Sequence, residues 1–251
     1  MTRSAASAVL VGVLLLSAGC ASVGPAHGGS GQRLDPWENW NRKVFSFNES
    51  LDENVLKPVA TAYSNVVPEP VRRGVDNVFG NFADAWSAVN NFLQGKVENG
   101  LRDVMRVGTN TFFGLGGVID IASEMGLDHQ YEDFGQTLGT WGFASGPYVV
   151  WPLLGSSTVR DSFGLPLDNA ASPASVVNDG GSRYGITTLR VINTRAKLLG
   201  ASRVLDDIAL DKYTFVRDAY LQRRRSLVFD GDAPPQDAPE PEPAASAPPA
   251  Q

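Results

Sequence analysis

Cys20 is the only cysteine among 251 residues, and it follows an apolar run over residues 8–16 and the small residues Ser17, Ala18 and Gly19. A thiol in that setting is an acceptor for acyl chains. Arg3 supplies the charge of a secretory n-region, and the apolar core is about half the length a bilayer-spanning helix needs, so residues 1–19 read as a lipoprotein signal peptide. Ser17 stands where a lipobox usually has leucine, with Leu16 one place earlier. The competing reading, an exported protein with an unmodified thiol, leaves a lone cysteine in an oxidising compartment. Each buried methylene of an acyl chain contributes about 0.8 kcal/mol, and two or more chains hold lastingly. Ala21 in place of aspartate fits outer-membrane delivery under the usual bacterial sorting pattern.

Other reactive constellations are sparse. With Cys20 acylated, a metal would have only His27 and His129 as soft ligands, too few for a zinc site. The string Gly142-Phe143-Ala144-Ser145-Gly146 places its serine one position late for a nucleophile elbow. Glu132 and Asp133 offer an acid/base pair, but directly ahead of Phe134 they read more simply as the cap of a helix. Gly114-Leu115-Gly116-Gly117 lacks the third spaced glycine of a dinucleotide loop. No catalytic residue, metal or cofactor is implied, and the chain reads as a non-enzyme.

Removing residues 1–19 takes away Arg3 and leaves 20 basic against 27 acidic residues, a net charge of −7, which makes nucleic acid a poor partner. Residues 20–34 are small and Gly-rich, as in a flexible tether carrying the lipid. Residues 230–251 are Pro/Ala-rich and acidic and lack the apolar bulk to pack, so they read as a disordered tail. Residues 35–229 remain for one folded domain.

The elements that must position any site are helical. Asp35-Pro36-Trp37-Glu38 is a helix start with an N-cap acid, and Trp37, Trp40, Val44, Phe47, Leu51 and Val55 then recur at three- and four-residue steps. Pro58 admits a short second helix that Pro68-Glu69-Pro70 breaks. The cleanest stripe follows, Val71, Val75, Val78, Phe82, Trp86, Val89 and Leu93, ended by Gly95; a fourth helix carries Val97, Leu101, Val104 and Phe112. Residues 114–164 alternate glycines and aromatics, with helical period only in pieces such as Phe134, Leu138 and Trp141. Tyr148 to Trp151 favours a strand, while Pro147 and Pro152 argue for an extended or hairpin-like loop. Helical period returns at Ile186, Leu189, Ile192 and Ala196, and again from Val216 to Arg225. The fold class is all-α, with one irregular Gly/aromatic-rich segment.

Several of these strings have a family look. DPWENWNRKVFSFNESLDENVLKPVATAY, NNFLQGK, EDFGQTLGTWGFASGPYVVWPLLGSSTVRDSFG, NTRAKLL and KYTFVRDAYLQRRR, in this order over residues 35–225, closely resemble the MlaA (VacJ) lipoproteins. The resemblance implies a single ring-shaped, multi-helix domain set in the inner leaflet of the outer membrane, with a central amphipathic channel. It further implies association with a trimeric porin and passage of phospholipids from the outer leaflet to a periplasmic lipid carrier protein (MlaC-like). The lipobox serine and the Pro/Ala-rich tail depart from the family pattern.

On that reading the amphipathic helices lie in the plane of the leaflet. The segment 134–154, too glycine-rich for a good core and too apolar for a solvated loop, lines or gates the passage, with Phe134, Leu138, Trp141 and Tyr148 as lining candidates. Asp161 next to Arg160 reads as a structural charge pair. The rival functions are a membrane-associated phospholipase, which would need His129 as base, and a non-transporting structural lipoprotein.

Overall fold

The computed structural model describes residues 34–233. The signal peptide, Cys20, the tether up to residue 33 and the tail beyond residue 233 lie outside the described residues. The folded unit starts at Asp35.

The first helix, α1 (Glu38–Leu51), forms where the sequence places it, but no side chain caps it. Asp35 turns inward instead. Its carboxylate accepts from the Asn41 amide at 2.8 Å and from the Tyr213 hydroxyl, with Arg217 at 3.4 Å, so partners distant in sequence win over the local cap. A π turn, Asp52–Leu56, joins α1 to α2 (Lys57–Val66) without a break. Pro58 follows that turn, where irregular pairing leaves room for a residue lacking an N–H.

Past Pro68, α3 (Glu69–Leu93) runs to Gln94 and stops at Gly95, whose φ of +78° is the left-handed geometry of a helix end. α4 (Val97–Phe112) returns against α3. The glycine-rich middle holds more structure than its composition suggests. It contains α5 (Ile121–Glu124), α6 (Phe134–Thr140), and a hairpin of β1 (Tyr148–Trp151) and β2 (Gly155–Thr158). The strands pair antiparallel from Tyr148–Thr158 to Trp151–Gly155, and Pro147 and Pro152 sit just outside β1, where neither removes a ladder donor. α7 (Val159–Ala170) follows directly, capped by Thr158, whose hydroxyl accepts from the Asp161 amide. A 3₁₀ turn (Pro173–Val176), α8 (Gly180–Ile208) and α9 (Lys212–Val228) complete the chain. Asp230, the first residue of the expected tail, still ion-pairs with Lys96 at 2.6 Å, so packing extends slightly past the sequence boundary.

Burial runs opposite to the usual rule. On α1 the buried residues are Asn41 and Val44, while Trp37, Trp40 and Phe47 of the apolar stripe face outward. On α3 the interior takes Asn81, Asp84, Asn90 and Asn91, and Val71, Val89, Phe92 and Leu93 are exposed. α4 buries Asp103, Arg106 and Asn110 and leaves Phe112 84% exposed. The interior polar groups pair with one another: Thr137 donates to Asn90 at 2.8 Å and Asn91 to Asp103 at 3.0 Å. The apolar core is small, built on Val44, Tyr148, Val150 and Tyr213 between α1, the hairpin and α9. So many exposed large apolar side chains mark contact with something other than water. Among the described residues, no helix is long and apolar enough to cross a membrane.

Candidate functional site

Three adjoining cavities, of about 700, 230 and 210 Å³, lie within the folded unit and share Phe79 and Arg190. α3 supplies an aromatic wall, Phe79, Phe82 and Trp86, at three- and four-residue steps along one face. α8 faces it with Arg183, Ile186, Thr187 and Arg190, the same spacing over two turns. The end of α7 and the turn after it close the large cavity with Pro166, Ala170 and Pro173. Neither Arg183 nor Arg190 has a carboxylate partner among the described residues. Cations without an ion-pair partner, set beside apolar and aromatic surface, can hold a group that is anionic at one end and oily at the other.

Behind the second cavity a buried ion-pair network fastens α6, α7 and α9 together. Arg224 of α9 donates to Asp133 and, at 2.9 Å, to Asp161. Asp161 also accepts from Arg160 at 2.9 Å and from the Tyr220 hydroxyl at 2.9 Å. Burial alone would raise the Asp161 carboxyl; Arg224 and Arg160 outweigh it and hold it below the usual carboxylate range. The expected structural role of Asp161 is therefore visible as geometry. Asp133 also caps α6, accepting from the Gln136 amide at 2.8 Å, as its position before Phe134 suggests. Glu132 does not join that cap: it pairs with Lys96 at 3.0 Å and accepts from Gln94, and burial raises its carboxyl.

The four lining candidates fall differently. Phe134 and Trp141 meet edge to face at 6.2 Å, Leu138 is half-buried between them in sequence, and the Trp141 indole donates to the Leu93 carbonyl at 3.0 Å. Tyr148 is apart from them, 0% exposed in the aromatic core with Tyr213 and Tyr220. None of the four lines any of the three cavities; their neighbours Asp133 and Gln136 do. The glycines of this segment serve close approach: a Cβ on Gly135 would lie 2.7 Å from Asp161 Oδ1, and one on Gly139 would lie 2.7 Å from Arg160. Arg183 and Arg190 escape the sequence reading because charges seven residues apart on a helix are equally what a solvated face shows.

His129, the candidate base, is held through both ring nitrogens. Nδ1 lies 2.6 Å from Asp84 and Nε2 lies 2.7 Å from Arg106, so an acceptor and a donor place the ring proton on Nδ1. Among the described residues no hydroxyl bonds to the ring, and Ser123 gives its proton to Asp120 at 2.6 Å. The described residues include no cluster of three or more His, Cys, Asp or Glu arranged to hold a metal.

Residues 33–227 match the family model for MlaA lipoprotein. The chain is 39% identical over 237 residues, 93% of its length and 92% of the relative's, to the intermembrane phospholipid transport system lipoprotein MlaA of Escherichia coli (strain K12). It is 33% identical over 243 residues, with 92% of each chain covered, to the protein of the same description in Haemophilus influenzae. It is also similar to a solved structure described as a structural basis for maintenance of bacterial outer membrane lipid asymmetry, with a TM-score of 0.68 and 36% identity over 77% of this chain and 98% of the other.

Proposed function

The chain belongs to the MlaA lipoprotein family, and on that footing we propose that it removes mislocalised phospholipids from the outer leaflet of the outer membrane and so maintains lipid asymmetry. The observation that carries this reading is the pairing of an amphipathic cavity with an apolar exterior. Moving a charged headgroup through hydrocarbon unaided costs several kcal/mol or more even after relaxation. A wall offering Arg183 and Arg190 beside Phe79 and Ile186 lowers that barrier while the acyl chains stay in apolar surroundings.

Cys20 anchors the protein by its acyl chains, and the outward Trp37, Trp40, Phe47 and Phe112 set it in the periplasmic leaflet. A trimeric porin supports it there, and an MlaC-like periplasmic carrier receives the lipid. Phe134, Leu138 and Trp141 gate the passage beside the second cavity, with Tyr148 as a buried prop behind them.

Thr187→Trp, which puts a bulky ring into the large cavity from an exposed helix position, tests the reading. A deletion strain carrying the variant should accumulate surface phospholipid like the empty deletion; wild-type levels would overturn the cavity route. A crosslink pinning the segment 134–154 to a neighbouring helix should stop lipid removal and leave porin binding unchanged, and continued removal would rule out the gate.

A further inference from the structure

The second cavity has a polarity that lipid passage alone does not require. Gln136 lines it but is only 2% exposed, with its side-chain amide given to the Tyr131 carbonyl at 3.0 Å. Asp168 lines the same cavity. Its Oδ1 accepts from the Trp86 indole at 2.8 Å and the Phe134 amide at 3.0 Å, both neutral donors, and no cation pairs with it among the described residues. The neighbouring acids differ, because Lys96 neutralises Glu132 and Arg224 neutralises Asp133. Trp86 and Tyr131 add aromatic surface, the kind whose faces attract cations. The missing partner is therefore a small cation with N–H donors.

We propose that this cavity receives the ammonium end of a zwitterionic phospholipid headgroup, with the phosphate turned to Arg190 at the junction and the acyl chains in the 700 Å³ cavity. The inference rests on the phospholipid-transport reading and adds a headgroup preference to it. A primary ammonium brings three donors as well as charge to the Asp168 carboxylate. A trimethylammonium brings the charge without the donors. A glycerol headgroup brings hydroxyl donors without the charge, and its net negative phosphate leaves Asp168 unbalanced. The order of affinity is ethanolamine over choline over glycerol. Burial also holds the Asp168 carboxyl above its usual range, against the hydrogen bonds from Phe134 and Trp86, so a bound cation would stabilise its charged form.

The test is calorimetric titration of the full-length acylated protein in detergent with dihexanoyl phosphatidylethanolamine, phosphatidylcholine and phosphatidylglycerol. The ethanolamine lipid should bind about tenfold more tightly than the glycerol lipid, the size of one charge-assisted contact. Asp168→Asn keeps an acceptor for Trp86 and Phe134 and should erase that ratio by weakening the ethanolamine lipid alone. Tyr131→Leu, at an exposed position, should weaken the ethanolamine and choline lipids relative to the glycerol lipid, and it decides the matter if Asp168→Asn melts early. Arg190→Gln should weaken all three alike. Equal binding of the three lipids to wild type, or an unchanged ratio in folded Asp168→Asn, overturns the headgroup site while leaving lipid transport standing; no binding of any lipid overturns both.

Discussion

Arg106 and Asp84 meet at 3.0 Å with both side chains 0% exposed, a full ion pair inside a helical protein whose hydrophobic residues mostly face outward. The guanidinium also reaches Asp120 at 3.2 Å, the Leu127 carbonyl and the His129 ring, so α3, α4 and the loop after α5 converge on one cation. Asp84→Ala removes the carboxylate and leaves that cation short of its shielded partner. The expected loss is about 3–5 kcal/mol of unfolding free energy, the usual penalty for stranding one half of a buried pair. Denaturant unfolding in detergent measures it, and a loss below about 1 kcal/mol, the range of an exposed pair, would contradict the shielding.

Gly135→Ala should destabilise through sterics alone. The added methyl would lie 2.7 Å from Asp161 Oδ1 and 2.8 Å from an Arg224 nitrogen, both held in the ion-pair network and unable to retreat cheaply. A cost of about 1–3 kcal/mol is expected for overpacking of this kind. Gly180→Ala, where no atom lies within 4 Å of the new methyl, serves as the control and should be close to neutral in a thermal melt.

Acid should loosen the junction of α6, α7 and α9. The folded Asp161 carboxyl lies below its unfolded value of about 3.9, so its contribution is complete above that pH and is lost as pH falls through the folded value. Asp161→Asn removes the linkage. Below about pH 4 the stability of the variant should fall less steeply with pH than that of wild type, read from unfolding curves between about pH 5 and pH 2; parallel slopes would show that Asp161 does not carry it.

The outward stripe predicts membrane affinity independent of the anchor. Phe112→Asp on α4, tested in a Cys20→Ala background, should weaken partition onto phospholipid vesicles by about 2 kcal/mol or more, the transfer value of one phenyl side chain. Flotation with vesicles reads it out, and unchanged partition would place α4 away from the lipid.

The long helices were legible because their signals are local. Pro68 ahead of α3, Gly95 after it and the three- and four-residue apolar steps through α3 and α4 need no tertiary information. α7 was legible in principle, since Thr158 and Asp161 have the spacing of a capping box, but the glycine and aromatic content around it masks the signal. Asp35 misled because a cap-like acid found Tyr213, 178 residues away. Tyr148 misled for a related reason. An aromatic in a glycine-rich stretch gives no sign that a hairpin will carry it into the core against Tyr213. The cavity joins α3 to α8, elements about a hundred residues apart, and no periodicity within either helix reports that meeting.

An interior of amides and ion pairs also changes which substitutions the chain can absorb. Positions such as Phe47, Val104 and Phe112 ask only for oiliness, so leucine, isoleucine or methionine would serve there nearly as well. Asn90 needs both a donor for the Trp86 carbonyl and an acceptor for Thr137, and no other residue of its size supplies the two together. Divergence in a molecule of this kind is thus permitted on its oily outside and forbidden at its polar heart, the reverse of what a soluble enzyme allows.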